Sequence, residues 1–439
     1  MPRVDPDTIF APATAPGRAA IAVIRLSGPQ AGSALAALAG GLPAPRTARH
    51  VRLCDPESRE EIDDGIALWF PGPHSVTGED VAELQVHGSR AVLAALIAAL
   101  GRLGLRLAEP GEFTRRAFLR GKFDLTQAEA IADLVSAETE AQLRQARRQL
   151  DGELGAIYRG WSRRLLRLLA HLEAAIDFPD EDLPPAIEAE AGQETNRIVA
   201  EIASHLADGR RGERLRDGIA VAIVGPPNAG KSSLLNRLAR REAAITSPIA
   251  GTTRDVVEVA IDLAGYPVVL ADTAGLRESA DTIEQEGLRR ALARAEAAEL
   301  RLFVFDAAHP EDAAGAAAWP GRDTLLVANK IDMAPKAGLP EGAFAVSALT
   351  GEGIATLIET LSGRIAADFD LAAPTLTRAR HRAALEEARD ALRRAIAAPL
   401  LELRAEDLRL AWRSLGRITG QVDVEDLLDV IFADFCIGK

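Results

Sequence analysis

The segment Gly225-Pro226-Pro227-Asn228-Ala229-Gly230-Lys231-Ser232 constrains this chain more than any other. It follows an apolar run, Ile219 to Val224, and opens an amphipathic stretch from Ser233 to Leu238. That order predicts strand, loop and helix. Backbone N–H groups of such a loop wrap phosphate oxygens, and glycine leaves room for the approach. Lys231 is placed to reach β- and γ-phosphates, and the Ser232 hydroxyl to ligate Mg²⁺. The helix beginning at Ser233 turns its positive end toward the same phosphates.

A phosphate loop alone is a weak signal, so the segments after it decide. Gly251-Thr252-Thr253-Arg254-Asp255 offers Thr253 as a second Mg²⁺ ligand. Asp272-Thr273-Ala274-Gly275 follows the apolar run Pro267 to Ala271, where Asp272 can hold a magnesium-bound water and the Gly275 N–H can sense a γ-phosphate. Asn329-Lys330-Ile331-Asp332 follows Thr324 to Ala328. The Asp332 carboxylate can accept both N1–H and N2–H₂ of guanine, donors that adenine does not offer. Ser347-Ala348-Leu349 can bring a backbone N–H to guanine O6. Five elements in this order point to GTP, with Lys231 and Thr253 in the catalytic set.

The 439 residues are enough for about three domains. No run of about 18 apolar residues predicts a membrane span. The N-terminal residues lack the basic-then-apolar form of a signal peptide, and Cys54 and Cys436 propose no disulfide framework. A cytoplasmic location is therefore expected. The histidines show no metal-binding spacing. A net charge of −13 is the wrong sign for a chain that coats nucleic acid, so RNA contact must use a local patch or a partner's surface.

Residues 1–119 read as α/β, with strands at Ala19 to Ile24, Gly65 to Phe70 and Val81 to Val86 and a helix from Arg90 to Leu103. Residues 120–217 read as helical. Thr126 to Glu129 has the form of a capping box, Leu165, Leu168, Leu169, Leu172 and Ile176 recur at helical spacing, Pro179 to Pro185 is an acidic break, and a further helix is expected near 186–208. A nucleotide domain spans 218–371. Helical patterns return over 372–439, at His381 to Ala397, Leu408 to Leu415 and Val424 to Phe432. The expected fold class is multidomain, α/β and α: an N-terminal α/β domain, a discontinuous helical bundle and an inserted P-loop G domain.

Three blocks outside the G domain carry a family resemblance. They are Ala13 to Arg18 with Val23 to Gly28, Phe70 to Asp80 running to Glu83 to Gly88, and Pro110 to Leu119 with Lys122 to Asp133; the tail Cys436-Ile437-Gly438-Lys439 completes them. The chain resembles the bacterial MnmE (TrmE) tRNA-modification GTPases over essentially its whole length. The resemblance implies a Ras-like G domain and an N-terminal tetrahydrofolate-binding, dimerising domain. It implies a homodimer that joins the flavoprotein MnmG (GidA) in a heterotetramer, with FAD and NADH on the partner. Their joint product is a carboxymethylaminomethyl-type group on C5 of the wobble uridine of certain tRNAs, with the one-carbon unit drawn from a folate.

By the same resemblance Arg25, Glu83, Lys122 and Lys439 form a 5-formyltetrahydrofolate site. A carboxylate such as Glu83 suits the N–H donors of a pterin edge; Arg25 and the lysines suit glutamyl carboxylates. The loop Ser247-Pro248-Ile249-Ala250-Gly251-Thr252 joins the GTP contacts. Leu276 stands where Ras-like enzymes place a water-orienting glutamine. The resemblance supplies two replacements: Glu284 as the water-polarising carboxylate, and a K⁺ ion held by the Asn228 side chain and the carbonyls of Ser247, Ile249 and Thr252. Pro248 stiffens that loop. Cys436 is a thiol near Lys439 that could act as a nucleophile or pack near the folate pocket. The rival function is a ribosome-assembly GTPase that uses GTP as a timer. The blocks before residue 123 and the C-terminal tail argue against it.

Overall fold

The structure, a computed structural model, describes residues 7–177, 185–241, 258–272, 296, 298–319, 323–334, 338–369, 374–422, 425–433 and 435–438; for 185–189, 272, 323 and 425–427 it describes the backbone alone. Its contacts form two compact units. One comprises residues 1–132, 149–192 and 390–439, the other 133–148 and 193–389.

The first unit opens with β1 (Ile9–Pro12), β2 (Ala19–Ser27), α1 (Ala31–Ala39), β3 (Arg49–Cys54), β4 (Glu61–Phe70), β5 (Val81–Gly88), α2 (Arg90–Arg102), β6 (Arg106–Leu107) and α3 (Glu112–Leu119). The strands make one sheet in the order β3-β4-β5-β2-β1-β6, antiparallel except for the β1–β6 pair. Ile24, Leu26 and Leu84 from the strands bury against Leu35, Leu38, Leu96 and Leu100 from α1 and α2. Alternation along the strands sends one face to this core. Ser89 starts α2 by accepting the Ala91 N–H.

Helices α4 (Leu125–Ser136), α5 (Glu140–Leu150), α6 (Glu153–Asp177), α7 (Pro185–Leu206) and α8 (Arg211–Asp217) follow. The capping box expected at Thr126–Glu129 lies two residues earlier. Asp124 accepts the Gln127 N–H at 3.1 Å, and Gln127 Oε1 accepts the Asp124 N–H at 3.0 Å. Asp is the better cap here because its short carboxylate also takes the Thr126 hydroxyl at 2.6 Å. Of the expected acidic break, only Pro185 lies within the described residues.

The nucleotide sheet comprises β7 (Ile219–Val224), β8 (Glu258–Leu263), β9 (Tyr266–Asp272), β10 (Leu300–Asp306), β11 (Asp323–Asn329) and β12 (Phe344–Ala345). Helices α9 (Lys231–Arg241) and α10 (Ile354–Asp368) accompany it. The order is β12-β11-β10-β7-β9-β8, parallel except for the β8–β9 hairpin. Both faces are covered, as a parallel sheet requires. Val221 and Ile223 pack with Leu234, Leu238 and Leu357, whereas Ala222 and Val224 pack with Phe303 and Phe305.

The chain closes with α11 (Ala379–Ala397), α12 (Leu401–Thr419) and α13 (Glu425–Ala433). Within the first unit α12 meets α6, where Arg409 pairs with Glu173 at 2.8 Å. The expected class is observed: an α/β N-terminal part, helices on both sides of the nucleotide domain in sequence, and a Ras-like strand order.

Candidate functional site

The phosphate loop joins β7 to α9 at the carboxyl end of the parallel strands, where open α/β sheets bind ligands. Gly225 has φ +139°, and a Cβ there would lie 2.0 Å from the Val304 carbonyl oxygen. Gly230 has φ +90°, and its Cβ would lie 2.3 Å from Asn329 Nδ2. Neither position admits a side chain. Between them, exposed Asn228 adopts φ 63°, a conformation asparagine tolerates better than most residues. Buried Lys231 curls back over the loop, donating to the Gly225 and Pro226 carbonyls at 2.9 and 2.8 Å. Its ammonium thus sits inside the curve that would receive phosphate. Ser232 and Ser233 are exposed on the first turn of α9.

The backbone of Asp272 ends β9 directly opposite Ile223 of β7, next to the phosphate loop. The expected residues 247–253, Thr273, Ala274, Gly275 and Glu284 lie outside the described residues.

The base-recognition segments converge from the ends of β11 and β12. Asn329 is 2% exposed. It donates through Nδ2 to the Ala229 carbonyl at 2.9 Å and accepts the Ala348 N–H at 3.0 Å. One side chain therefore ties the phosphate loop to the Ser347–Leu349 loop. Asp332 is exposed, and one of its carboxylate oxygens accepts the Ser347 hydroxyl at 2.6 Å. Ser347 in turn accepts the Thr350 N–H at 3.0 Å. This chain of hydrogen bonds holds the carboxylate against the Ser347–Thr350 turn. Lys330, at φ 66°, pairs with Asp306 at 2.8 Å. Burial pushes the Asp306 carboxyl up, but hydrogen bonds from Lys330 and the Ala308 N–H, with the charges of Lys330 and His309, outweigh it and hold the group below its ordinary value. Arg237 of α9 donates to the Ala348 carbonyl at 2.8 Å and also to that of Leu349. Sequence reasoning missed Asp306 and Arg237, which lie in no motif and act only through the fold.

A second constellation lies in the first unit. Arg25 of β2 and Glu83 of β5 are direct cross-strand partners, and Glu83 Oε1 accepts from Arg25 Nε and NH2 at 2.9 and 2.8 Å. The expectation gave them separate ends of a folate; here each holds the other, with about one-fifth of each side chain exposed. The Arg25 guanidinium also lies 5.9 Å over the Phe113 ring. Lys122 donates to the Pro73 carbonyl at 3.1 Å. Lys439 lies outside the described residues. The tail before it is anchored: Ile437 bridges Pro110, and Gly111 donates to the Cys436 carbonyl at 3.4 Å. Gly438, at φ +99°, passes so close to Pro12 that a Cβ would lie 2.3 Å from its carbonyl oxygen. Cys436 is exposed. The tail thus meets the strand that leads into the Ala13–Arg18 block.

A phosphate loop, an Asn-Lys-x-Asp carboxylate braced by serine, and a Ras-like sheet together define a P-loop GTPase. Residues 8–122 match the family model for the GTP-binding protein TrmE N-terminus, and residues 125–436 match that for the MnmE helical domain. The chain belongs to the MnmE (TrmE) family. It is 59% identical over 452 residues to the tRNA modification GTPase MnmE of Rhodospirillum rubrum, covering 99% of each chain. It is 58% identical over 440 residues to the proteins of that name from Parvibaculum lavamentivorans and Paramagnetospirillum magneticum, covering 99% of this chain and 100% of each relative.

Proposed function

We propose that this chain is a GTP hydrolase acting in tRNA modification, and that its hydrolysis is activated by potassium. The observation that carries the nucleotide assignment is the Asp332–Ser347 pair, held in place by Asn329 between the two loops. The tRNA assignment is supported by the names of relatives aligned along nearly the whole chain.

In this reading Lys231 leaves the Gly225 and Pro226 carbonyls to meet the β- and γ-phosphates. Asp332 reads guanine, and the Ala348 region supplies the N–H for O6. Ser232, on the first turn of α9, fits a hard cation that takes hydroxyl and water oxygens, with Thr253 as its second ligand. Asn228, exposed at the mouth of the loop, fits a K⁺ ion shared with the carbonyls of Ser247, Ile249 and Thr252. Ser232, Thr253 and Asn228 would hold these cations beside the phosphate oxygens, where their positive charge would offset developing negative charge. Glu284 orients the attacking water, and the G domains of a homodimer meet to complete the site.

The same reading places a tetrahydrofolate derivative at Arg25, Glu83, Lys122 and Lys439 in a domain of residues 1–119. Helical parts at 120–217 and 372–439 flank a G domain at 218–371. The flavoprotein MnmG is the partner, carrying FAD and using NADH, and C5 of the wobble uridine is the target. Reconstitution of both proteins with tRNA, GTP, Mg²⁺, K⁺, a folate, FAD, NADH and glycine, whose amine and carboxymethyl atoms complete the product, tests this, with mass spectrometry of digested tRNA as the readout. The carboxymethylaminomethyl-type nucleoside should form with the wild-type chain and fail with Arg25→Ala. Its absence with active partner and hydrolysing wild-type chain would refute the modification role.

A further inference from the structure

In sequence, the β8–β9 hairpin joins the loop carrying Thr253 to the segment beginning at Asp272. Its turn has positive φ at both central residues, 52° at Ala264 and 88° at Gly265. That is the geometry of a tight two-residue hairpin, and the Asp262 carboxylate braces it by accepting the Gly265 N–H at 2.7 Å. Ala264 is exposed, but the Gly265 side of the tip is held. The Ala141 N–H of α5 donates to the Gly265 carbonyl at 3.0 Å. Ala141 is fully buried in the same apolar cluster as Leu263, Val268 and Leu270 of the hairpin.

The same turn of helix is fastened to the chain entering β7. Gln142 Nε2 donates to the Arg216 carbonyl at 3.2 Å, and Gln145 Nε2 donates to the Gly212 carbonyl at 3.0 Å. Just upstream, Asp133 accepts from Arg216 at 3.0 Å and from Arg378 at 2.7 Å. The segment from Asp133 to Gln145 therefore grips the hairpin tip, the α8 entry to β7 and the segment before α11. β7 ends in the phosphate loop, and β9 ends in Asp272 beside it. Any shift of the hairpin along β7 must stretch these bonds or carry α5 with it.

We propose that the Thr139–Gln145 turn of α5 couples nucleotide state to the helical part of the chain, with Gln142 as its positioning residue. This deepens the nucleotide assignment above and rests on it. Gln142 does two separable things. Its Oε1 accepts the Glu138 and Thr139 N–H groups at 3.1 and 3.2 Å, and its own N–H meets Thr139 Oγ1 at 3.4 Å, a capping box that starts α5. Its Nε2 alone makes the bond to Arg216. Gln142→Glu keeps the box, which glutamate serves equally, and turns the Arg216 donor into an acceptor facing a carbonyl.

The test is amide hydrogen exchange on the full chain with GDP and with guanosine 5′-[βγ-imido]triphosphate, alongside hydrolysis kinetics. In the wild type, exchange over residues 139–148 should differ between the two nucleotides by at least about fivefold, the lower end of coupling between sites. In Gln142→Glu that difference should vanish. Nucleotide protection of 225–232 and KM should stay as in the wild type, while kcat shifts by about fivefold or more. Identical exchange over 139–148 in both nucleotides, with 225–232 protected, would overturn the coupling and leave the nucleotide site standing. A Gln142→Glu chain with wild-type kcat and wild-type exchange differences would overturn the role of Gln142. Loss of protection at 225–232 in the wild type would refute the nucleotide site and the coupling with it.

Discussion

Asn329 is the clearest place to test how the site is held, because it ties together two of the loops that build it. Asn329→Ala removes the donor to the Ala229 carbonyl and the acceptor of the Ala348 N–H. Both partners lie in a region where Asn329 itself is 2% exposed. A buried polar group left without its partner costs about 1–3 kcal/mol, and a water entering the vacated space recovers part of that. The pair should therefore cost about 2–4 kcal/mol. The two tethered loops are those that must be in place for phosphate and base, so the loss should appear in nucleotide affinity. At 1.4 kcal/mol per factor of ten, GDP binding should weaken about 30- to 700-fold. Titration with a fluorescent GDP analogue measures this, and circular dichroism checks that the chain is folded. Asn329→Asp keeps the acceptor for Ala348 but sets a carboxylate oxygen against the Ala229 carbonyl, and should be at least as damaging. A folded Asn329→Ala chain with Kd within twofold of wild type would refute the tethering argument.

Gly225→Ala should abolish nucleotide binding and lower the melting temperature, because the new Cβ would meet the Val304 carbonyl oxygen at 2.0 Å at a φ of +139°; differential scanning calorimetry and GDP titration read both effects. Asp332→Asn exchanges an acceptor for a donor, and losing hydrogen bonds to a charged group should reduce GTP affinity about 10- to 150-fold while improving xanthosine triphosphate, as competition titration would report. Burial holds the His205 imidazole below its ordinary value of 6.5; Asp208 opposes this and Arg382 reinforces it. The unfolded chain therefore takes up this proton first as pH falls, so the contribution is complete above pH 6.5 and is lost below it. The fall in melting temperature between about pH 7.5 and about pH 5.5 should be smaller in His205→Gln than in the wild type.

Three strands of the nucleotide sheet, β7, β9 and β11, were legible because each is an apolar run that ends in a motif whose residue types are fixed by phosphate or guanine chemistry; β8 and β10 end in no such motif. The roles inside the motifs were less legible. Asn329 reads as a nucleotide-contact residue, and its further task as a tether between loops is visible only when Ala229 and Ala348 are brought beside it. Asp306 and Arg237 were invisible because ion pairs and carbonyl clamps between distant strands leave no local pattern. The cap of α4 was misplaced by two residues since Asp124 and Thr126 are both good caps, and only the reciprocal bonds of Gln127 decide between them. Arg25 and Glu83 were found by family blocks 58 residues apart, but their mutual pairing follows from strand register. Nothing local in Thr139 to Gln145 announces that it binds the hairpin tip, because that contact is one backbone N–H donating to one backbone carbonyl.

The central claim is a potassium-activated GTPase, and it is tested most directly by GTP hydrolysis in potassium and in sodium at matched ionic strength, with Glu284→Ala beside the wild type. Strong activation by potassium is expected in the wild type, and its loss in the variant. Equal, slow rates in both salts would contradict it, and would leave a GTP-binding chain that needs an outside activator.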